Sequence, residues 1–285
     1  MPPATRFNTP ATSPRSLRLG DLTLTVIPDG TVQLDPNLWL PGSPPEHWTG
    51  EGGALLDSQG FLATSVSALL VEHGDRALLI DAGFGPQHIP AARTIPPIGD
   101  LTGGRLLTSL KEAGREPSSI DTVAFTHLHD DHVGWAFGAG PDKATPFTGA
   151  TFVASGEEWA GWTRPPGFTV PTVRAATGEE IFPGVTAWVT PGHTHGHTSY
   201  VLSSGGQRLI AFGDVFHSPA QLAHPDWPVS VDALPEQAVA ARRRTLEELT
   251  RPDTWAFANH FADVHFGRVT GQGPDAVWEP LDTTP

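Results

Sequence analysis

The feature that most restricts the fold of this chain is the segment His127-Leu128-His129-Asp130-Asp131-His132, which follows the apolar run Val123-Ala124-Phe125. Nothing in packing calls for three imidazoles and two carboxylates in six residues. Neutral imidazole and carboxylate are the groups that hold zinc and its borderline neighbours, and the spacing H-x-H-x-D-H lets four side chains serve two ions at once. The nucleophile implied by such a site is a metal-bound water. A fold built around this segment must bring further ligands to it from distant parts of the chain.

Candidates for those ligands stand at three later places. Thr190-Pro191-Gly192-His193-Thr194-His195-Gly196-His197 lies between two apolar runs, Asp214 closes Phe212-Gly213-Asp214, and His260 closes Ala258-Asn259-His260. Each sits where a strand hands over to a loop, which is where layered α/β folds gather functional groups along one edge.

The pattern between these points alternates irregularly between strands and helices. Leu17 to Ile27 alternates as a strand interrupted by a Gly20-Asp21 turn, and Val66–Glu72 with Ala77–Ile80 forms a hairpin around Gly74-Asp75. Gly103 to Ala113 has helical spacing and is stopped by Gly114, while Asp121 to Thr126 is a strand that delivers His127. Ser155-Gly156-Glu157-Glu158 has the form of a capping box at a helix start. Strands at about 185–190, 199–203 and 208–213 follow, then a helix from Pro235 to Leu249 and a last core strand over Thr254–Ala258. This order suits an α/β layered domain better than a purely parallel sheet. Residues 1–16 read as a disordered leader, and residues 17–285 as one domain with an inserted loop at about 28–60, rich in Pro and Gly and carrying Trp39 and Trp48.

Composition narrows the class. Of 285 residues, 38% are apolar and 17% charged, which is globular. The formal net charge of −14 works against nucleic acid and anionic membrane surfaces as partners. The chain has no cysteine, which removes disulfides, thiolate zinc ligands and thiol nucleophiles. No apolar segment reaches the ~18 residues of a membrane span and the N-terminus lacks the apolar core of a secretory signal, so a cytoplasmic protein is expected.

H-x-H-x-D-H at 127–132, T-P-G-H-T-x-G-H at 190–197, Gly213-Asp214 and a late His260, in that order, resemble the metallo-β-lactamase-fold hydrolases. The resemblance implies a four-layer αββα fold. It also implies that His127, His129 and His193 bind one metal, that Asp131, His132 and His260 bind a second, and that Asp214 bridges them. His195 then falls on a variable position, His197 on a supporting one, and Asp81 of Asp81-Ala82-Gly83 on a carboxylate that steadies ligand histidines. The cofactor expected is a pair of divalent ions, zinc first and manganese, cobalt or iron as alternatives. The reaction expected is hydrolysis by a hydroxide shared between them, with Asp131 passing the proton towards the leaving group.

The resemblance also orders the substrates. Thiolate-bridged β-lactamases need a cysteine, and the remaining lactamase types generally lack the bridging Asp. A glyoxalase II would need more chain after His260, and flavodiiron proteins have Glu where this chain has His129. What remains is lactones, aryl and carboxyl esters and phosphotriesters, on a likeness to methyl-parathion-hydrolase-like and acyl-homoserine-lactonase-like proteins in Gly213–Leu222, His224–Trp227, Gly267–Val269 and Trp278–Pro280. Those lactonases place a tyrosine three residues beyond the bridging Asp; here the position is His217, which either donates the same hydrogen bond to substrate or is a bystander. Trp39, Trp48, Phe84, Trp135, Phe137, Trp159, Trp162 and Trp227 are candidates to line an apolar pocket, with Trp135 and Trp159 better read as core. The rival readings are a thioesterase and an iron-dependent thiol or persulfide oxygenase of the same fold. A small molecule is the expected partner, and a homodimer contacting through the early loop and its tryptophans is compatible with the resemblance.

Overall fold

The structure is a computed structural model that describes residues 4–137, 144–163 and 171–284. Its strands form two sheets. The first contains β1 (Arg15–Leu19), β2 (Leu22–Leu34), β3 (Leu62–His73), β4 (Arg76–Ile80), β5 (His88–Ile89), β6 (Ile98–Thr102), β7 (Thr122–Ala124), β8 (Thr151–Ser155) and β9 (Thr172–Ala175). The second contains β10 (Glu180–Phe182), β11 (Val185–Val189), β12 (Thr198–Ser204), β13 (Gln207–Ala211), β14 (Thr254–Phe257), β15 (Phe266–Thr270) and β16 (Val277–Pro280). The helices are α1 (Pro36–Trp39), α2 (Pro45–Thr49), α3 (Leu106–Glu112), α4 (Asp130–Val133), α5 (Gly156–Gly161), α6 (Ala220–Ala223) and α7 (Pro235–Leu249).

The first sheet runs β5-β6-β2-β3-β4-β7-β8-β9, with β1 paired to β2, and the second runs β10 to β16 in chain order. Pairing is antiparallel except for β4·β7, β7·β8 and β8·β9 in the first sheet and β13·β14 in the second. The apolar alternation explains the stacking. Leu24, Val26, Leu69, Leu78 and Ile80 of the first sheet share one cluster with Val185, Tyr200, Leu202, Leu209 and Phe257 of the second, so these faces meet. The opposite face of the first sheet buries Leu70, Leu79 and Val123 against Leu106 and Leu110 of α3. The opposite face of the second buries Ile210 and Ala256 against Leu249 of α7. Each apolar face is thereby covered, and the order of layers is αββα, as expected.

Helix α7 begins at Pro235 and ends at Leu249, where the sequence places it, and buries Ala238, Ala241, Arg242, Thr245 and Leu249 on one stripe. The hairpins also fall where the turn residues put them, with Gly20 and Gly74 at positive φ.

Two regions differ from their compositional reading. The segment read as a disordered leader is docked where it is described: Ala11 is buried and its N–H donates to Ser65 Oγ, and β1 already starts at Arg15. Residues 28–60 are not a loop free of regular structure: β2 continues to Leu34, then α1, α2 and a 3₁₀ turn over Glu51–Leu55 follow. Trp39 and Trp48 are buried there with Trp227 in a cluster of their own, because burying these large rings orders a segment that has no period. They are therefore not exposed for contact with a second copy. No helix among the described residues is long and apolar enough to cross a membrane.

Candidate metal centre

The predicted ligands converge at one edge of both sheets. His127 follows β7 at its C-terminal end, His193 lies between β11 and β12, Asp214 follows β13, and His260 follows β14. Since β13 and β14 are parallel, Asp214 and His260 emerge at the same edge. The sheets are stitched together there by Thr198 N–H donating to Thr126 O at 2.7 Å. Gly213 is what lets Asp214 come so close: its φ is +53°, and a Cβ would lie 2.7 Å from His197 Nε2 and 2.8 Å from Thr126 Cβ.

The carboxylate of Asp214 divides the cluster in two. Its Oδ2 lies 3.8 Å from His127 Nε2, 3.4 Å from His193 Nε2 and 3.1 Å from His217 Nε2. His129 Nδ1 completes that half, 2.9 Å from His127 Nε2 and 3.1 Å from His193 Nε2. Its Oδ1 lies 3.4 Å from His132 Nε2 and 3.1 Å from His260 Nε2. Asp131 Oδ2 closes this second half at 3.7 Å from both rings. The structure thus brings together all seven residues expected as ligands, grouped as His127–His129–His193 and Asp131–His132–His260 on either side of Asp214.

The residues fit a pair of divalent cations. The outward nitrogen of four of the five rings is engaged: His127 Nδ1 at 3.0 Å from Thr126 Oγ1, His132 Nδ1 at 2.9 Å from Asp81 Oδ2, His193 Nδ1 at 3.2 Å from Asp232 Oδ1 and His260 Nδ1 at 2.7 Å from Ser65 O. That fixes the tautomer which turns a bare Nε2 inward. His132 Nε2 and Asp214 Oδ1 are buried with no hydrogen-bond partner, an arrangement with a cost in a protein interior unless a cation satisfies it.

The electrostatics agree. Burial would raise Asp214, yet His260, His132 and His217 hold its carboxyl well below the usual range. Burial likewise opposes ionisation of Asp131, and His132 and His260 hold it lowered. Burial, with His132 and His129 beside it, keeps His127 well below its ordinary value and so neutral, the form that ligates. Burial disfavours charge on His132, but Asp214, Asp131 and Asp81 outweigh it and raise its pKa. The second group is a place that seeks positive charge.

The supporting residues behave as expected where a motif identified them. Asp81 accepts from Thr126 N–H, Thr126 Oγ1, His132 Nδ1 and Asn259 Nδ2. His197 donates from Nδ1 to Thr190 Oγ1 and accepts the Asp214 N–H on Nε2, 3.0 Å each. His195 is exposed. Others escaped the sequence. Glu158 of the capping box does have its N–H on Ser155 Oγ, but its carboxylate turns away and accepts from Leu128 N–H, Thr194 Oγ1 and Gly196 N–H, tying together the two ligand loops. Asp232 joins His193 to the buried Arg242, whose Nη1 donates to Asp232 Oδ2 at 3.2 Å.

A cavity of about 370 Å³ opens over the centre. Among the described residues its walls are Val32, Leu34, Ile98, Leu101, Leu128 and Val231 with Trp39 as the one large aromatic, and His129, Asp130, Asp131, His193, Asp214, His217 and His260 form its polar floor. Most candidate pocket aromatics are elsewhere: Trp48 and Trp227 pack on each other, and Phe84, Trp135, Phe137 and Trp159 belong to buried clusters. Trp162 borders a separate cleft with His195 and Glu157. His217 is buried against Trp39, with its Nε2 towards Asp214 and its Nδ1 without a partner.

Two stacked sheets with outer helices and a histidine–carboxylate centre at their common edge define a class of metal-binding αββα proteins. Within it, the chain belongs to the metallo-beta-lactamase superfamily, whose sequence profile matches residues 62–258. No curated protein matches the chain in sequence. Among solved structures, the chain is similar to AidC, a dizinc quorum-quenching lactonase solved with its product, at 22% identity and TM-score 0.79, covering 95% of this chain and 98% of that one. It is similar to the hydrolase AbOPH at 26% identity and TM-score 0.77, covering 95% and 99%. It is similar also to AiiA from B. thuringiensis, solved with N-decanoyl-L-homoserine at its active site, at 21% identity and TM-score 0.64, covering 86% and 94%.

Proposed function

We propose that the protein is a dinuclear metal-dependent hydrolase that cleaves an ester-type bond in a small, largely apolar molecule: a lactone, an aryl or carboxyl ester, or a phosphotriester. The observation that carries this reading is the carboxylate of Asp214 facing three imidazoles with one oxygen and two with the other, with His129 and Asp131 closing the two groups, beneath an aliphatic cavity. Zinc is the first choice of ion, since an all-nitrogen-and-oxygen donor set of this kind suits it. Two divalent cations held there supply a water acidified to a pKa of about 7 and a Lewis acid for the electrophilic oxygen.

The chain's own residues do the rest. His127, His129, Asp131, His132, His193, Asp214 and His260 hold the cations, and Asp81, Thr126, Asp232 and Ser65 aim the imidazoles. Asp131 is the most exposed carboxylate of the set, at 22% against 5% for Asp214, and it is ionised. It is placed to take a proton at its carboxylate and hand it to the leaving group. His217 makes the polar contact to the substrate oxygen through Nε2, the atom it shares with Asp214 Oδ2. Among the described residues the cavity wall carries no Lys or Arg, which favours an uncharged substrate. The likeness to AidC and AiiA puts lactones first in the order of substrates, and that to AbOPH keeps the wider hydrolase panel in view.

The test is one panel of γ- and δ-lactones, chromogenic aryl esters, thioesters and phosphotriesters, run with zinc, manganese or cobalt added to the full chain. Turnover should require metal, and His127→Ala or Asp214→Ala should abolish both turnover and metal loading. His217→Phe should lower kcat about 10²-fold if it serves the transition state, and His217→Tyr should restore part of it. Full activity after exhaustive chelation, or one iron per chain with oxidation of a thiol substrate, would overturn the reading.

A further inference from the structure

The N-terminal segment is fastened at several points, and they converge on the turn that carries His260. Arg6 Nε and Arg15 Nε donate to the Asp263 carboxylate at 3.1 and 3.2 Å. Arg6 Nη2 also donates to the Asp263 carbonyl, and the Asp263 N–H donates back to the Arg6 carbonyl at 3.1 Å. Further along, the Ala11 N–H donates to Ser65 Oγ at 2.9 Å, and the Ser65 hydroxyl donates to the Ala262 carbonyl at 2.8 Å. The carbonyl of the same Ser65 receives the Nδ1–H of His260 at 2.7 Å.

The turn has a reason to be held. Ala262 stands at φ +40°, in the left-handed region that an L side chain avoids, directly between the donor-bearing loop and Asp263. Such a conformation persists only where its surroundings over-determine it. Here the surroundings are a strand residue, Ser65, and a segment that comes from more than 240 positions earlier, as the separation of Arg15 and Asp263 by 248 residues shows.

We propose that residues 6–15 form a strap that positions His260, so that occupancy of the Asp131–His132–His260 half of the centre depends on the Arg6/Arg15–Asp263 lock and on Ser65. Among the described residues no hydrogen bond or ion pair joins residues 6–15 to His127, His129 or His193. Loss of the strap therefore affects one ion and spares the other. A purely structural tail would lower stability alone and leave both sites alike. The inference rests on the dinuclear reading of the centre.

The test uses the chain carrying Arg6→Ala with Arg15→Ala, Asp263→Asn, or Ser65→Ala, with Arg268→Ala as control, since this exposed arginine pairs with Glu279 and not with Asp263. Each protein is loaded with cobalt(II), and metal per chain and the visible absorption of the bound ion are measured. Wild type and control should hold two equivalents. The strap variants should hold one tightly and bind the other at least about tenfold more weakly, as loss of a group that orients a ligand does. Arg6→Lys with Arg15→Lys should recover part of the second equivalent. If the double alanine variant does not fold, the isosteric Asp263→Asn decides. Strap variants that retain two equivalents with the wild-type spectrum overturn the strap. A wild-type chain that takes up no metal overturns instead the reading of the centre beneath it.

Discussion

Asp81 is fully buried and held at φ +65°, two conditions that an aspartate tolerates only for a return. The return is four hydrogen bonds on one carboxylate, from Thr126 N–H and Oγ1, His132 Nδ1 and Asn259 Nδ2. It thereby fixes the residue before His127 and the ring of His132 together. Asp81→Asn keeps the shape and accepts the left-handed backbone, but it replaces an acceptor by a donor that faces donors. The expected cost is about 3–5 kcal/mol in denaturant unfolding of the metal-free chain, the range for breaking a buried charged pair. Metal affinity should fall about 10–100-fold, read by competition with a chromogenic chelator. The donors themselves were legible because H-x-H-x-D-H and T-P-G-H carry their chemistry in local spacing. Asp232 and Ser65 were not, because each meets its histidine across 39 and 195 residues and neither stands in a motif.

Among elements, α5 shows how one side chain can be legible for structure and hidden for function. Ser155 caps the helix as S-x-x-E predicts, yet the reciprocal half of the capping box is not made. Glu158 reaches out to the loop after β7 and the loop after β11, where each supplies backbone or hydroxyl donors. Glu158→Gln turns one of those acceptor oxygens into an amide that opposes an N–H or O–H. It should destabilise the fold by about 1–3 kcal/mol, measured by chemical unfolding, and slow turnover more than it raises KM, since both metal loops shift. The strands, hairpins and α7 could be read because apolar period and turn residues act locally. The early segment could not: α1 and α2 are 4 and 5 residues long, and their order comes from burying Trp39 and Trp48.

The molecule as a whole has a titration that does not depend on bound metal. His265 is buried, and that desolvation pushes its pKa from 6.5 to about 4 against the help of its bond to the Ala258 carbonyl. The folded chain therefore keeps His265 neutral where the unfolded chain takes up a proton. The contribution of His265 to stability is complete above 6.5 and is lost as pH drops from there towards 4, by about 3 kcal/mol over the full window. Unfolding of the metal-free chain and of His265→Gln at pH 7 and at pH 4.5 checks this: the variant should lose less stability between the two than wild type, the remainder coming from other buried histidines such as His197.

The seam between the sheets has one further consequence. His127, His129, Asp131 and His132 stand at the edge of the first sheet and His193, Asp214 and His260 at the edge of the second, and the gap is closed by Thr198 on Thr126, Asn259 on Asp81 and the Glu158 bonds to Thr194 and Gly196. Contacts of such long sequence separation form late in folding. The second group is then completed only by the finished chain, because a polypeptide halted before β14 lacks His260.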